Sequence, residues 1–223
     1  VSHGISEFCV TDKLRDGENE IFVLAIKFST GSYLEDQDMF RATGIFREVY
    51  LLFRDRRRVR DITVGCTLAD DFGTATFTAT FDGVLHKNAT ARLCTADGAD
   101  SGAFAQRDGK TVTFVLRDPA LWSSEVPNLY YICLENGKEH IALPVGARKI
   151  EVRDRVVLLN GKPVKARGVN RHDSSPVLGY AVPMDAMLRD LAILKQNNVN
   201  MIRTSHYPPD PRMPELCDKY GFY

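Results

Sequence analysis

The sequence lacks net charge: 29 Lys and Arg stand against 29 Asp and Glu over 223 residues. A chain so balanced projects no long-range field to gather nucleic acid or an anionic membrane surface. No stretch approaches the roughly 18 consecutive apolar residues that span a bilayer, and no membrane partner is expected. The first residues show no basic start followed by an apolar middle, so no secretory signal is read there. Cysteine is sparse: Cys9, Cys66, Cys94, Cys133 and Cys217 are odd in number, far apart and without a C-x-x-C pair. They read as small core residues of a reducing compartment, not as a disulfide frame or zinc site. Glycine-rich phosphate loops and a G-x-S-x-G elbow are missing too, leaving nucleotide binding and serine-hydrolase chemistry unsupported. What remains is an ordinary globular composition, 44% apolar and 26% charged, expected in the cytoplasm.

The first 150 residues read as strand after strand. Ile21 to Phe28 is almost continuously apolar, as for a strand covered on both faces. Glu48 to Arg54 places Val49, Leu51 and Phe53 on one side. Ile62 to Leu68, Thr76 to Phe81 and Thr111 to Leu116 alternate with period two, the last directing Val112, Phe114 and Leu116 together. Asp70-Asp71, Asp82-Gly83, Ala96 to Gly102 and Asp108-Gly109 supply the turns. Short strands at this spacing predict a β-sandwich. The five arginines of Arg54 to Arg60 suggest a seam between two such units. With no net charge and no interleaved aromatics they read as solvated or bridging, not as a nucleic-acid patch.

The period changes near residue 164. Asn160-Gly161 marks a type I′ hairpin. Lys165 to Asn170 reads as a strand, followed by a helix with Asp185 as its cap and Met187, Leu188, Leu191 and Leu194 on one face. Asn200 to Thr204 is a second strand. A second helix carries Met213, Leu216, Cys217 and Tyr220, with Gly221 past its end. Gly221-Phe-Tyr reads as the start of a third strand. Strand and helix in alternation open a parallel α/β fold. Two or three such strands leave edges uncovered, so more chain is expected to complete them.

Three polar clusters invite chemistry. Gly31 to Asp38 holds Glu35, Asp36 and Asp38, which suit a cation or sugar hydroxyls but equally a solvated turn. Asn170-Arg-His-Asp173 follows the first α/β strand, and Arg203-Thr-Ser-His206-Tyr-Pro follows the second. Parallel α/β barrels carry their sites where strand C-termini open into loops. Two His, two Arg and an Asp at successive strand ends are therefore expected to converge. Metal ligation by His172 and His206 is a minor option, since their spacing matches no zinc signature. His3, His86 and His140 have no such setting.

These residues also carry a resemblance. Ser29 to Val49 is similar to the end of the sugar-binding domain of large bacterial β-galactosidases in glycoside hydrolase family 2. Leu121-Trp-Ser-Ser-Glu-Val-Pro-Asn-Leu-Tyr130 resembles a late strand region of that family's immunoglobulin-like domain. Leu159-Asn-Gly-Lys-Pro163 with Arg167-Gly-Val-Asn-Arg-His172 resembles the entry to its catalytic barrel. Asn200 to Pro208, with Asp218 and Gly221-Phe-Tyr, resembles a signature at the second barrel strand. The segments occur in the family's order along essentially the whole chain.

The resemblance implies a multidomain β plus α/β protein. Residues 1–55 would end a jelly-roll sugar-binding domain, 56–150 would form an immunoglobulin-like β-sandwich, and 151–223 would begin a (β/α)8 barrel. It implies retaining hydrolysis of a terminal β-galactoside by two Glu on later strands, beyond Tyr223. The chain alone is then expected to be inactive. His172 and His206 would contact substrate and transition state, and Arg203 would hold the nucleophile's carboxylate ionised. Partners implied are the sugar, the rest of the chain and further copies in a homo-oligomer. A β-glucuronidase or β-mannosidase of the same family is the alternative reading, and a non-catalytic sandwich module that binds carbohydrate or protein is a second. No cofactor is expected on these residues, with magnesium admitted for the longer protein. Thr30 stands where the family carries an Asp that meets a sodium ion, so sodium dependence and strict galactose preference are in doubt. Asp173-Ser-Ser175 replaces a more His-rich run, and Pro214 replaces a bulky apolar residue.

Overall fold

The computed structural model describes residues 4–34 and 38–223. Two compact units emerge: the residues up to Tyr50 with Gly168–Met213, and Leu51–Arg167 with Pro214–Tyr223. Glu35, Asp36 and His3 lie outside the described residues.

Before Val59 the described chain is extended or turned, with a single 3-10 turn at Thr11–Lys13 and one short α-helix, α1 (Thr30–Leu34). The strands expected at Ile21 to Phe28 and Glu48 to Arg54 do not form. Neither stretch is laddered to a strand among the described residues, and their large apolar side chains are exposed. Apolar patterning can designate faces, but a strand exists only through a ladder to another strand.

The alternating segments further on do pair. β1 (Val59–Leu68), β2 (Thr74–Gly83), β3 (Thr90–Cys94), β4 (Phe104–Asp108), β5 (Thr111–Arg117), β6 (Tyr130–Asn136) and β7 (Glu139–Val145) make two antiparallel sheets, ordered β1-β2-β5-β4 and β3-β6-β7. One core unites them: Ala75, Phe77, Ala79 and Phe81 of β2 and Val112, Phe114 and Leu116 of β5 join Leu93, Ile132, Leu134 and Val145. The Phe77 and Tyr130 rings meet across it at 5.7 Å. Each buried Phe contributes about 1.5–3 kcal/mol of transfer free energy. The arginine run bridges to neighbouring strands: Arg54 pairs with Glu139 and donates to the Val59 carbonyl at 2.8 Å, and Arg60 meets Asp82 at 3.1 Å. None of the five cysteines is in a disulfide.

β8 (Ile150–Arg153), β9 (Val156–Leu159) and β10 (Lys162–Pro163) follow as a small meander. Asn160 and Gly161 have φ of 49° and 73°, the left-handed pair that a type I′ turn demands. Asp154 and Arg155, at 49° and 65°, turn the other hairpin without glycine.

β11 (Gly168–Arg171) and β12 (Met201–Thr204) are parallel, joined through α2 (Met184–Gln196), with α3 (Arg212–Tyr220) after them. Met187 and Leu191 are the buried residues of α2, while Leu188 is exposed. Asp185 is not its cap. Pro183 takes that place with φ −75°, needing no donor of its own, and Asp185 sits in the first turn, where its charge suits the helix's positive end. Asn198 at φ 59° ends α2, with the Val199 N–H on the Leu194 carbonyl at 3.0 Å and the Asn198 N–H on that of Lys195 at 3.0 Å, a Schellman closure. Gly221 closes α3 likewise, the Phe222 N–H reaching the Cys217 carbonyl at 2.8 Å. The last residues are not a strand: Phe222 is buried and the Tyr223 ring stands edge-on to Trp122 at 5.8 Å. Trp122 Nε1 also donates to the Asp218 carbonyl at 2.7 Å.

Candidate functional site

The parallel register sets Asn170 beside Arg203 and Arg171 beside Thr204. His172, one residue past β11, and His206, two past β12, therefore emerge at the same end of the sheet. Their rings meet edge-to-face with centroids 5.7 Å apart and planes at 88°. Tyr207 lies against His172 at 5.9 Å, Tyr180 against Tyr207 at 5.8 Å, and Phe46 against Tyr180 at 5.7 Å. Both tyrosines are buried while both histidines are partly exposed. The pair is thus partly exposed and rests on an aromatic backing of buried tyrosines. Burial pushes the Tyr207 phenol up to about 12, so at neutral pH it stays a donor, directed at the Asp173 carbonyl 3.4 Å away.

A partly buried ionic network, with Asp173, Arg171 and Asp210 at its buried centre, lies on the segments that carry the histidines. Arg171 pairs with Asp173 and directs its Nε to Asp190 of α2 at 3.0 Å. Asp173, 5% exposed, accepts the Asp210 N–H at 2.7 Å and lies 3.5 Å from Arg47. Arg47 also donates to the Pro208 carbonyl at 3.0 Å. Arg212 grips Asp210 through Nε at 2.9 Å and a terminal nitrogen at 2.8 Å, which holds that carboxylate below its usual range. Pairing and hydrogen bonding at this density offset the cost of burying the charges.

Of the expected group, His172 and His206 come together and Arg171 with Asp173 forms the support beneath them. Arg203 is different. It is exposed, on the same side of the two-stranded sheet as Asn170, with no ion pair among the described residues. Asp38 of the acidic loop has φ 49°; the roles read for Glu35 and Asp36 fall outside the described residues. Thr30 begins α1 and brings one neutral hydroxyl. Among the described residues no group of three or more His, Cys, Asp or Glu side chains is placed to hold a metal ion. The sequence reading missed Arg47, Tyr180, Asp210 and Arg212. Asp210-Pro-Arg212 before a helix was the available signal for the last pair, since Asp there turns the backbone and bonds the next N–H groups. Nothing local marks Arg47 or Tyr180.

Comparison with known proteins places these features in a family. Residues 150–223 match the model of the glycosyl hydrolases family 2 TIM barrel domain, and residues 2–55 match that of the family 2 sugar binding domain. A β-galactosidase of Actinobacillus pleuropneumoniae is 41% identical over all of this chain, and one of Staphylococcus xylosus is 39% identical, again over all of it. This chain spans 22% of the length of each. Among solved structures, a β-glucuronidase from Ruminococcus gnavus in complex with C6-substituted uronic isofagomine is 27% identical with a TM-score of 0.64, covering 74% of this chain and 28% of its own. The β-glucuronidase of Dictyoglomus thermophilum, 24% identical with a TM-score of 0.66 over 74% of this chain and 28% of its own, shares the fold.

Proposed function

Because the chain belongs to glycosyl hydrolase family 2, we propose that it is the central part of a retaining enzyme that cleaves terminal β-D-galactosides. The observation that carries the reading is the His172–His206 pair, brought edge-to-face at the ends of two parallel strands. Identity near 40% to β-galactosidases along the whole chain supports galactose as the sugar. Imidazoles so placed donate hydrogen bonds to sugar hydroxyls, bonds that strengthen as charge develops on the ring. Arg203, exposed on its side of the sheet, suits a charge-assisted pair with a carboxylate nucleophile supplied by a later strand. The chemistry itself belongs to two Glu outside residues 1–223, about 5 Å apart as retention requires.

In this reading residues 1–55 contribute to a jelly-roll sugar-binding domain, the two-sheet sandwich is immunoglobulin-like, and β11-α2-β12-α3 opens the eight-fold barrel. The longer protein is a cytoplasmic homo-oligomer. Magnesium, if it serves that protein, is held by residues elsewhere. At Thr30 a sodium ion lacks the carboxylate that would offset its dehydration. Galactosidase activity is therefore expected to be indifferent to exchange of sodium for a large organic cation at constant ionic strength, and Thr30→Asp to introduce a response. A strong requirement in the unaltered enzyme contradicts this.

The alternative is a β-glucuronidase or β-mannosidase of the same family, and the solved neighbours include β-glucuronidases. Purified full-length enzyme should turn over nitrophenyl β-galactoside far faster than the β-glucuronide or β-mannoside. Preference for the glucuronide overturns the galactosidase reading, and turnover of none of the three supports a non-catalytic binding module.

A further inference from the structure

We propose that Asp173 is a positioning residue for the site histidines and that Arg47 is the second half of the same clamp. The proposal rests on the sugar-site reading above and adds how the site is held.

The carboxylate of Asp173 divides its two oxygens between two loops. Oδ1 pairs with Arg171, the last residue of β11, which is also tied to Asp190 of α2. Oδ2 accepts the Asp210 N–H at 2.7 Å. Asp173 follows His172 directly, and Asp210 lies on the loop that carries His206. One buried side chain therefore ties the His172 end of β11 to the His206 loop. The Tyr207 hydroxyl adds a bond to the Asp173 carbonyl at 3.4 Å. Arg47 bridges the same two loops from a distant part of the chain, 3.5 Å from Asp173 Oδ2 and 3.0 Å from the Pro208 carbonyl.

The charge is essential to this arrangement. Asp173 and Arg171 are 5% and 9% exposed. A neutral residue at 173 leaves Arg171 and Arg47 without their shared counter-charge in a place water barely reaches. The loop then loses its fixed distance from His172. Groups that act in the transition state are sensitive to small displacements, so the loss falls on rate before binding. Asp173 touches no substrate in this scheme and acts through the two imidazoles.

The test uses the full-length enzyme with Asp173→Asn, Arg47→Met and the double variant. Asp173→Asn keeps an acceptor for the Asp210 N–H while removing the charge. It should lower kcat about 10- to 100-fold with KM within about twofold. A galactonolactone, which mimics the flattened transition state, should lose affinity by the same factor, while a thiogalactoside keeps its own. Arg47→Met should cost a smaller factor, and the double variant no more than Asp173→Asn, since both act through one network. Wild-type kcat in Asp173→Asn, or losses that multiply in the double variant, overturn the clamp. So does equal loss of lactone and thiogalactoside binding, the mark of a general structural failure. If Asp173→Asn does not fold, Arg47→Met decides by the same inhibitor ratio. Hydrogen exchange at the Asp210 amide needs no substrate: acceleration in Arg47→Met and Asp173→Asn supports the clamp even if no β-galactoside is turned over, and unchanged exchange overturns it.

Discussion

Two apolar stretches of this chain meet opposite fates. In the sandwich, Phe77 and Phe114 are 0% exposed; in the extended N-terminal part, Phe22 is 88% and Leu24 86% exposed. Residue type does not separate them. β2 has β1 on one side and β5 on the other, and its Thr74, Thr76, Thr78 and Thr80 alternate with the buried Ala and Phe positions. Ile21 to Phe28 has no strand beside it among the described residues. The hydrophobic effect rewards removal of area from water, and that needs a second surface. A second mode of support appears at the His172–His206 site, where Asp173, Arg171, Arg47, Asp210 and Arg212 hold the loops by charge.

The contrast can be broken by mutation. Phe114→Ala should cost about 3–5 kcal/mol in urea unfolding, through lost transfer energy and the cavity left behind. Phe22→Ala in the same chain should stay within about 0.5 kcal/mol; equal costs would dissolve the distinction between the two stretches. Gly221→Ala should come next. Its backbone sits at φ 74°, and a Cβ would stand 2.3 Å from the Ser124 carbonyl oxygen, so the α3 end must move. About 2 kcal/mol, or more, is expected, read as a lowered urea midpoint with faster exchange in residues 217–223.

A smaller effect separates the charged support from the apolar one. Because Arg212 lowers the Asp210 carboxylate, folding binds fewer protons there than the unfolded chain does. Its stabilisation is present above the unfolded carboxylate value of about 3.9 and is lost as pH falls through the lower folded one. Amide exchange around residues 205–212 should therefore rise on acidification before it rises in β2 and β5. Asp210→Asn should remove most of that pH dependence. Simultaneous opening of both regions contradicts separate modes of support.

What the sequence disclosed follows the same physics. The buried face of β5, the Asn160-Gly161 turn and the matched strand ends carrying His172 and His206 were legible because each is a local pattern with a local cause. Strands at Ile21 to Phe28 and Glu48 to Arg54 were misread because pairing is non-local. Asp185 was misassigned as a cap because Pro183 opens α2 earlier. The Asp154-Arg155 turn lacks the glycine that usually announces one. Arg47 was silent: its partners Asp173 and Pro208 are far along the chain, and no spacing rule joins them.

The most direct test of the account is the kinetics of His206→Ala in the full-length enzyme on nitrophenyl β-galactoside. If His206 donates to a sugar hydroxyl whose bond tightens in the transition state, kcat should fall about 10²-fold or more with KM little changed. A raised KM with unchanged kcat would make His206 a ground-state contact only, and unchanged values of both would contradict a sugar site at the His172–His206 pair.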